Sequence, residues 1–221
     1  MFQSLTCSNG EWMYPQPVCK LGNVRVNVAS GLISIQTIFH RFHNHIIDLL
    51  QSLLDSSQYV WDDEKLFQVT RKIVGAVIQN IAYKEFLPLL IGPAAMSQYG
   101  LTKYESSDYD SSISPGIFSS FSAAAFRYGH PAFPNKWTHG TEKIPFSELF
   151  ERPYYVQADQ GLEKTVKGML EDSSQGAELK YSQALQVDLV NSTLVDGNDM
   201  AAIDIQRGRE LGLPSYNTFR E

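Results

Sequence analysis

No block of lysine and arginine occurs in this chain. Eighteen basic residues stand against 24 acidic ones, for a net charge of −6. A nucleic-acid partner held through its phosphates is therefore disfavoured. Long apolar runs are also missing. The longest candidate, residues 86–96, carries Pro88 and Pro93 and falls short of the ~18–20 residues that cross a bilayer. No membrane span is expected. Residues 1–7 have neither a charged start nor an apolar stretch and do not read as a secretion leader. Cysteine is scarce: Cys7 and Cys19 share one polar segment, where a local bridge is possible. No repeat and no hairpin signal stands out. What remains is ordinary globular material, 43% hydrophobic and 19% charged, which argues against disorder. The length suffices for one good core.

Residues 1–21 read as loop. From 32 to 53, Ile35, Ile38, Phe39, Phe42, Ile46, Leu49, Leu50 and Leu53 recur at helical spacing without a Gly or Pro between them. A second helix starts near Asp62-Asp63-Glu64, acids that suit a helix N-terminus. Its stripe is Leu66, Val69, Ile73, Val77 and Ile81, and Pro88, Gly92 and Pro93 end it. After an irregular stretch, Ser114-Pro115 predicts an N-cap with Pro at the first helical position. That helix runs to His130 and stops at Pro131. A long connection reaches about residue 157. Leu162, Val166, Met169 and Leu170 then mark a short amphipathic helix. A polar, weakly periodic helix is expected over 177–190. A last one covers about 199–210 and ends at Gly212. The expected class is all-α.

Two dense runs carry the chemistry. One is Ala125-Phe126-Arg127-Tyr128-Gly129-His130. The other is Asp204-Ile205-Gln206-Arg207-Gly208-Arg209-Glu210-Leu211-Gly212-Leu213-Pro214-Ser215-Tyr216-Asn217. Together they resemble the animal-type haem peroxidases. Gly22-Asn23-Val24-Arg25 resembles that family's G-D-x-R segment. Gly31-Leu32, Thr37, Phe39, Arg41, His43 and Asn44 follow its next helix, and Tyr83-Lys84-Glu85-Phe86-Leu87-Pro88 the one after. The motifs fall in family order from near Cys19 to the last residue. The resemblance implies an N-terminal Cys-containing segment, 1–21, and a partial peroxidase domain, 22–221, from the middle of the mainly helical peroxidase fold.

The resemblance gives each residue a role, beside which stands a blander one. His130 would be the proximal ligand of haem iron through a neutral imidazole nitrogen. A lone His at a helix end more often caps carbonyls. Asp204, where the family often has Asn, would accept from the ring's other nitrogen and fix its tautomer. By itself it would be a solvated helix carboxylate. Arg25 would be the catalytic distal cation that stabilises charge as the peroxide bond breaks. Arg127 and Arg207 would meet haem propionates, or equally hold structural ion pairs. His40, His43 and His45 do not share one helix face, so a zinc site is disfavoured. Val28 stands where mammalian members carry a Glu esterified to haem, so covalent attachment there is not expected. Pro131 replaces the family's usual Thr.

The implied function is a peroxidase with haem b, reducing hydrogen peroxide at the expense of a small donor. The family's distal His and calcium ligands have no counterpart in these residues, and weak turnover by this chain alone is expected. A secreted parent protein fits the two cysteines and the glycosylation triplet Asn191-Ser192-Thr193. The alternative is a non-catalytic helical remnant that binds haem poorly.

Overall fold

The computed structural model describes residues 7–8, 18–19, 24–57, 59–102, 110–176, 178–189 and 198–221. The chain divides into two units. One comprises residues 3–36 with 116–221, the other residues 37–115. Helices dominate both, in agreement with the expected class. The Asn191–Thr193 triplet lies outside the described residues.

In the first unit, β1 (Cys7–Ser8) pairs antiparallel with β2 (Val18–Cys19), with Cys7 opposite Cys19. A 3₁₀ turn, Val24–Val28, leads into α1 (Ser30–Asp55). The expected stripe of α1 is only partly covered: Ile35, Leu49 and Leu53 are exposed. The core of this unit instead forms on the stretch read as a long connection. Phe146 is fully buried and collects three rings. Trp137 stacks on it at 5.4 Å, while Phe133 and Phe150 meet it edge-on at 5.1 and 5.2 Å. Ala29, Ile144, Leu149, Ala184, Leu185 and Leu189 complete the cluster.

A hairpin underlies this core and corrects the sequence reading, which found none. β3 (Lys136–His139) pairs antiparallel with β4 (Glu142–Pro145). Gly140, at φ +68°, opens the two-residue turn with Thr141. A positive φ at the first turn position is glycine's place in a tight hairpin. The expected amphipathic helix is present as α6 (Gly161–Glu171) and lies on β3, but Gly161, Thr165 and Gly168 are its buried residues and Leu170 of the expected stripe is exposed; the single turn α5 (Tyr154–Gln157) precedes it. Asp172, just past α6, accepts from Thr138 N at 2.5 Å and Thr138 Oγ1 at 2.9 Å, and pairs with Lys143.

Two further expectations need correction. The helix expected from Ser114 begins only at Ser119. It is the short α4 (Ser119–Ala123), broken at Ala124 (φ −121°, ψ −70°) and continued as 3₁₀ turns at Ala125–Arg127 and His130–Ala132. Ile113, Ile117 and Phe118 are exposed. A capping signal without a packed face does not sustain a helix. The helix expected over 177–190 shrinks to α7 (Gln183–Gln186), held by the buried Ala184 and Leu185. Leu189 leaves it to bridge Asn198. The expected last helix is present as α8 (Met200–Glu210) and is followed by α9 (Tyr216–Arg220). Asp199 Oδ1 caps α8 by accepting from Ala201 N and Ala202 N. At the other end Gly212 N donates to Arg209 O and Leu213 N to Gly208 O, with Gly212 at φ +62°. These are the paired bonds of a Schellman stop.

In the second unit, α2 (Asp63–Ile81) is capped by Asp62, which accepts from Lys65 N at 2.7 Å. The helix does not end where the prolines predict. A π turn, Ala82–Phe86, carries it into α3 (Leu87–Gln98). Gly92 takes φ +80° and kinks α3 before Pro93, because proline displaces the preceding residue from helical angles. The continuous run 63–98 is, by length and composition alone, apolar enough to cross a membrane. The stretch 86–96 therefore understates the length of that helix. His43 of α1 packs its ring 5.5 Å from Phe67. Among the described residues no group of three His, Cys, Asp or Glu could hold a metal ion.

Glycine at the closest approach predicts a stability contrast. A Cβ on Gly168 would lie 1.8 Å from Thr138 O, a backbone atom, whereas one on Gly75 would meet nothing within 4 Å. Gly168→Ala should destabilise by at least the roughly 1–3 kcal/mol typical of overpacking. Gly75→Ala, in an exposed stretch of α2, should stabilise by about 0.5–1 kcal/mol. Thermal melts of the two variants check both signs.

Candidate functional site

Three segments converge on one carboxylate. His130 opens the 3₁₀ turn that precedes the hairpin, with Pro131 buried beneath it. Gln175 N donates to Ala132 O at 2.9 Å and fixes this turn from the far side of α6. Asp204 and Arg207 sit one helical turn apart on α8. Tyr181 lies just before α7, its ring against the aromatic core. Gln183 N donates to Asn135 Oδ1 at 2.9 Å and ties the start of α7 to the residue before the hairpin.

Asp204 Oδ2 lies 2.5 Å from His130 Nδ1, across 74 residues of chain. The same oxygen accepts from the Tyr181 hydroxyl at 3.0 Å. The other oxygen, Oδ1, pairs with Arg207 Nη1. The side chains of His130 and Asp204 are 19% and 16% exposed, so water screens the pair only partly. Burial pushes the Asp204 carboxyl up. Hydrogen bonds from His130 and Tyr181, the His130 charge and the Arg207 hydrogen bond outweigh it and hold the group below the usual carboxylate range. Burial, followed by the bond to Asp204, pushes the Tyr181 hydroxyl up to about 12. Asp204 therefore stays ionised and Tyr181 stays a donor. An ionised acceptor at Nδ1 places the single proton of a neutral ring on that nitrogen. Its Nε2 makes no hydrogen bond among the described residues.

The structure thus brings together His130, Asp204 and Arg207 of the residues singled out in sequence. Arg127 stands nearby, half-buried, its Nε donating to Ser122 O at 3.1 Å. It lines a hollow of about 570 Å³ together with Tyr128, Tyr181, Asp204 and Gly208. His130 reaches that hollow through Asp204 rather than lining it. A second hollow of similar volume adjoins it, walled by Phe118, Phe121, Ala125, Pro214 and Phe219, and shares Ala124 and Leu213 with the first. Arg25 lies on the Val24–Val28 turn with an exposed side chain. Val28, on the same turn, packs against the core cluster. Tyr181 was missed in sequence. It sits in a polar, weakly periodic stretch, and nothing local marks its hydroxyl as a partner for residue 204.

A family model for animal haem peroxidases matches residues 3–221. The chain belongs to the animal haem peroxidase family. Mouse (Mus musculus) myeloperoxidase is 34% identical over 218 residues, which span 92% of this chain and 29% of that protein. Chorion peroxidase of Drosophila melanogaster is 34% identical over 90% of this chain and 25% of its own length. Peroxidasin of the same fly is 33% identical over 90% of this chain and 13% of its own. The chain therefore spans less than a third of each of these relatives. Among solved structures, peroxidase A of Dictyostelium discoideum superposes with a TM-score of 0.77 at 26% identity. That match covers 91% of this chain and 38% of the other.

The residues present fit one face of a haem site. A neutral imidazole whose Nδ1–H is held by a carboxylate leaves Nε2 free to ligate iron. Arg207 pairs with the same carboxylate, and Arg127 lines the hollow that Asp204 also lines.

The depressed Asp204 carboxyl predicts an acid limb. Such a group contributes stability that is fully present above its unfolded value of about 3.9 and is lost as pH falls through the lower folded value. Asp204→Asn should lower stability at neutral pH and flatten its decline below about pH 4. Chemical unfolding of both proteins between pH 2.5 and 7 reads this. Parallel curves would show that the carboxylate is not stabilised by folding.

Proposed function

We propose that this chain supplies the proximal face of a haem b peroxidase that reduces hydrogen peroxide and oxidises a small donor. The observation carrying this reading is the His130 Nδ1–Asp204 contact in a chain of the haem peroxidase family. When bound, haem supplies the redox chemistry that consumes peroxide. His130 would hold its iron through Nε2. Asp204 would keep the ring in one tautomer and one orientation and make Nε2 a stronger donor. Arg127 and the free part of the Arg207 fork would meet the propionates; Arg207 Nη1 already serves Asp204.

Arg25 is proposed as the cation on the opposite face. It stabilises negative charge but, always protonated, cannot accept the peroxide proton. The division into an N-terminal segment, 1–21, and a peroxidase portion, 22–221, belongs to the same reading, as does non-covalent haem at Val28. A secreted setting is supported by the Asn191-Ser192-Thr193 triplet and by the backbone register that sets Cys7 opposite Cys19.

The test is His130→Ala in the full-length protein reconstituted with haem. The variant should lose the Soret band or shift it strongly to the blue, and peroxide-dependent oxidation of a chromogenic donor should fall with it. An unchanged ferric spectrum would overturn the proximal assignment and favour a helical domain without a haem role.

A further inference from the structure

We propose that Tyr181 is a positioning residue that sets how much of the Asp204 charge reaches His130, and so how electron-rich the nitrogen offered to haem iron is. This rests on the reading of His130 as the iron ligand.

The two oxygens of Asp204 are not equivalent. Oδ1 is paired with Arg207, one helical turn along α8. Oδ2 takes two donors at once, His130 Nδ1 at 2.5 Å and the Tyr181 hydroxyl at 3.0 Å. A carboxylate oxygen has lone pairs for both. They nevertheless draw on the same electron density, so each donor weakens the pull that the oxygen exerts on the other. Arg207 acts mainly through charge at Oδ1. Tyr181 acts at the very atom that holds the His130 proton.

Tyr181 is built to keep that hydroxyl in place. Its ring packs against the aromatic core, and the next residues are tied to Asn135. The hydroxyl is kept protonated by its surroundings, so it donates rather than repels. The aromatic body would pack equally well without the oxygen. A hydroxyl aimed at an acceptor already occupied by His130 and Arg207 tempers that carboxylate.

The proposal gives opposite signs for two substitutions. Removing the Tyr181 hydroxyl leaves Oδ2 to His130 alone. The carboxylate then draws harder on the Nδ1 proton, the ring becomes more imidazolate-like, and Nε2 favours ferric over ferrous iron. Tyr181→Phe should shift the ferric/ferrous midpoint potential of the haem-loaded full-length protein to more negative values. Asp204→Asn removes the charge and should shift it to more positive values. Replacing Tyr181 with 3,5-difluorotyrosine keeps the ring and strengthens the donor. It should move the potential opposite to Phe.

A second readout needs no haem. In the apoprotein, the His130 Nδ1 proton resonance should move downfield in Tyr181→Phe and upfield with difluorotyrosine. If Tyr181 only fills space, Phe changes neither potential nor resonance. If it only steadies Asp204, Phe loosens the His130 contact and moves both the other way. Either result overturns the proposal, as would shifts of the same sign for Phe and difluorotyrosine. Loss of the Soret band in His130→Ala tests the underlying ligand reading separately. Should that reading fail, the apoprotein resonances still decide whether Tyr181 competes with His130 for Asp204.

Discussion

A partly buried carboxylate that must stay ionised organises the functional end of this chain. Asp204 gives up much of its hydration, and an ionised group in that position needs donors on both oxygens. Those donors come from three places: the turn at His130, the segment at Tyr181, and α8 itself through Arg207. No single segment could supply them. The charge therefore ties together residues separated by most of the first unit's C-terminal half.

The aromatic core makes that convergence possible. Phe146 gathers Phe133, Trp137 and Phe150 around it, which anchors the chain directly after His130. Tyr181 and Met200, which flank the other two segments, rest on the same cluster. The close approach of α6 to the hairpin depends on a bare backbone at Gly168, opposite Thr138 O. Packing of this kind is intolerant of added volume, so the positions of the donors around Asp204 inherit the rigidity of the core.

Much of this was legible from local pattern. The Asp62 cap, the presence of helices α1 and α6, and the Asp199–Gly212 bounds of α8 all rest on interactions within a few residues. Resemblance drew attention to His130 and to Asp204 together. Other features were not legible for a physical reason. The Gly140 hairpin is short and lies in a stretch dominated by core aromatics rather than by alternation. The Ser114-Pro115 signal is sound locally, yet the helix it announces finds no packed face and begins at Ser119. The π turn at Ala82–Phe86 lets α2 continue past a proline that would otherwise end it.

By itself the sequence determined the helical class, the Asp62 and Asp199 caps, the Gly212 stop, and the two motifs that place the chain in its family. Those depend on backbone hydrogen bonding and side-chain periodicity over one or two turns. Only the tertiary structure decided which donors Asp204 would have. Tyr181 and His130 are joined to it by contacts spanning 23 and 74 residues. No local spacing encodes a bond of that length. It follows from where the core puts each segment, and from the cost of leaving a buried charge without partners.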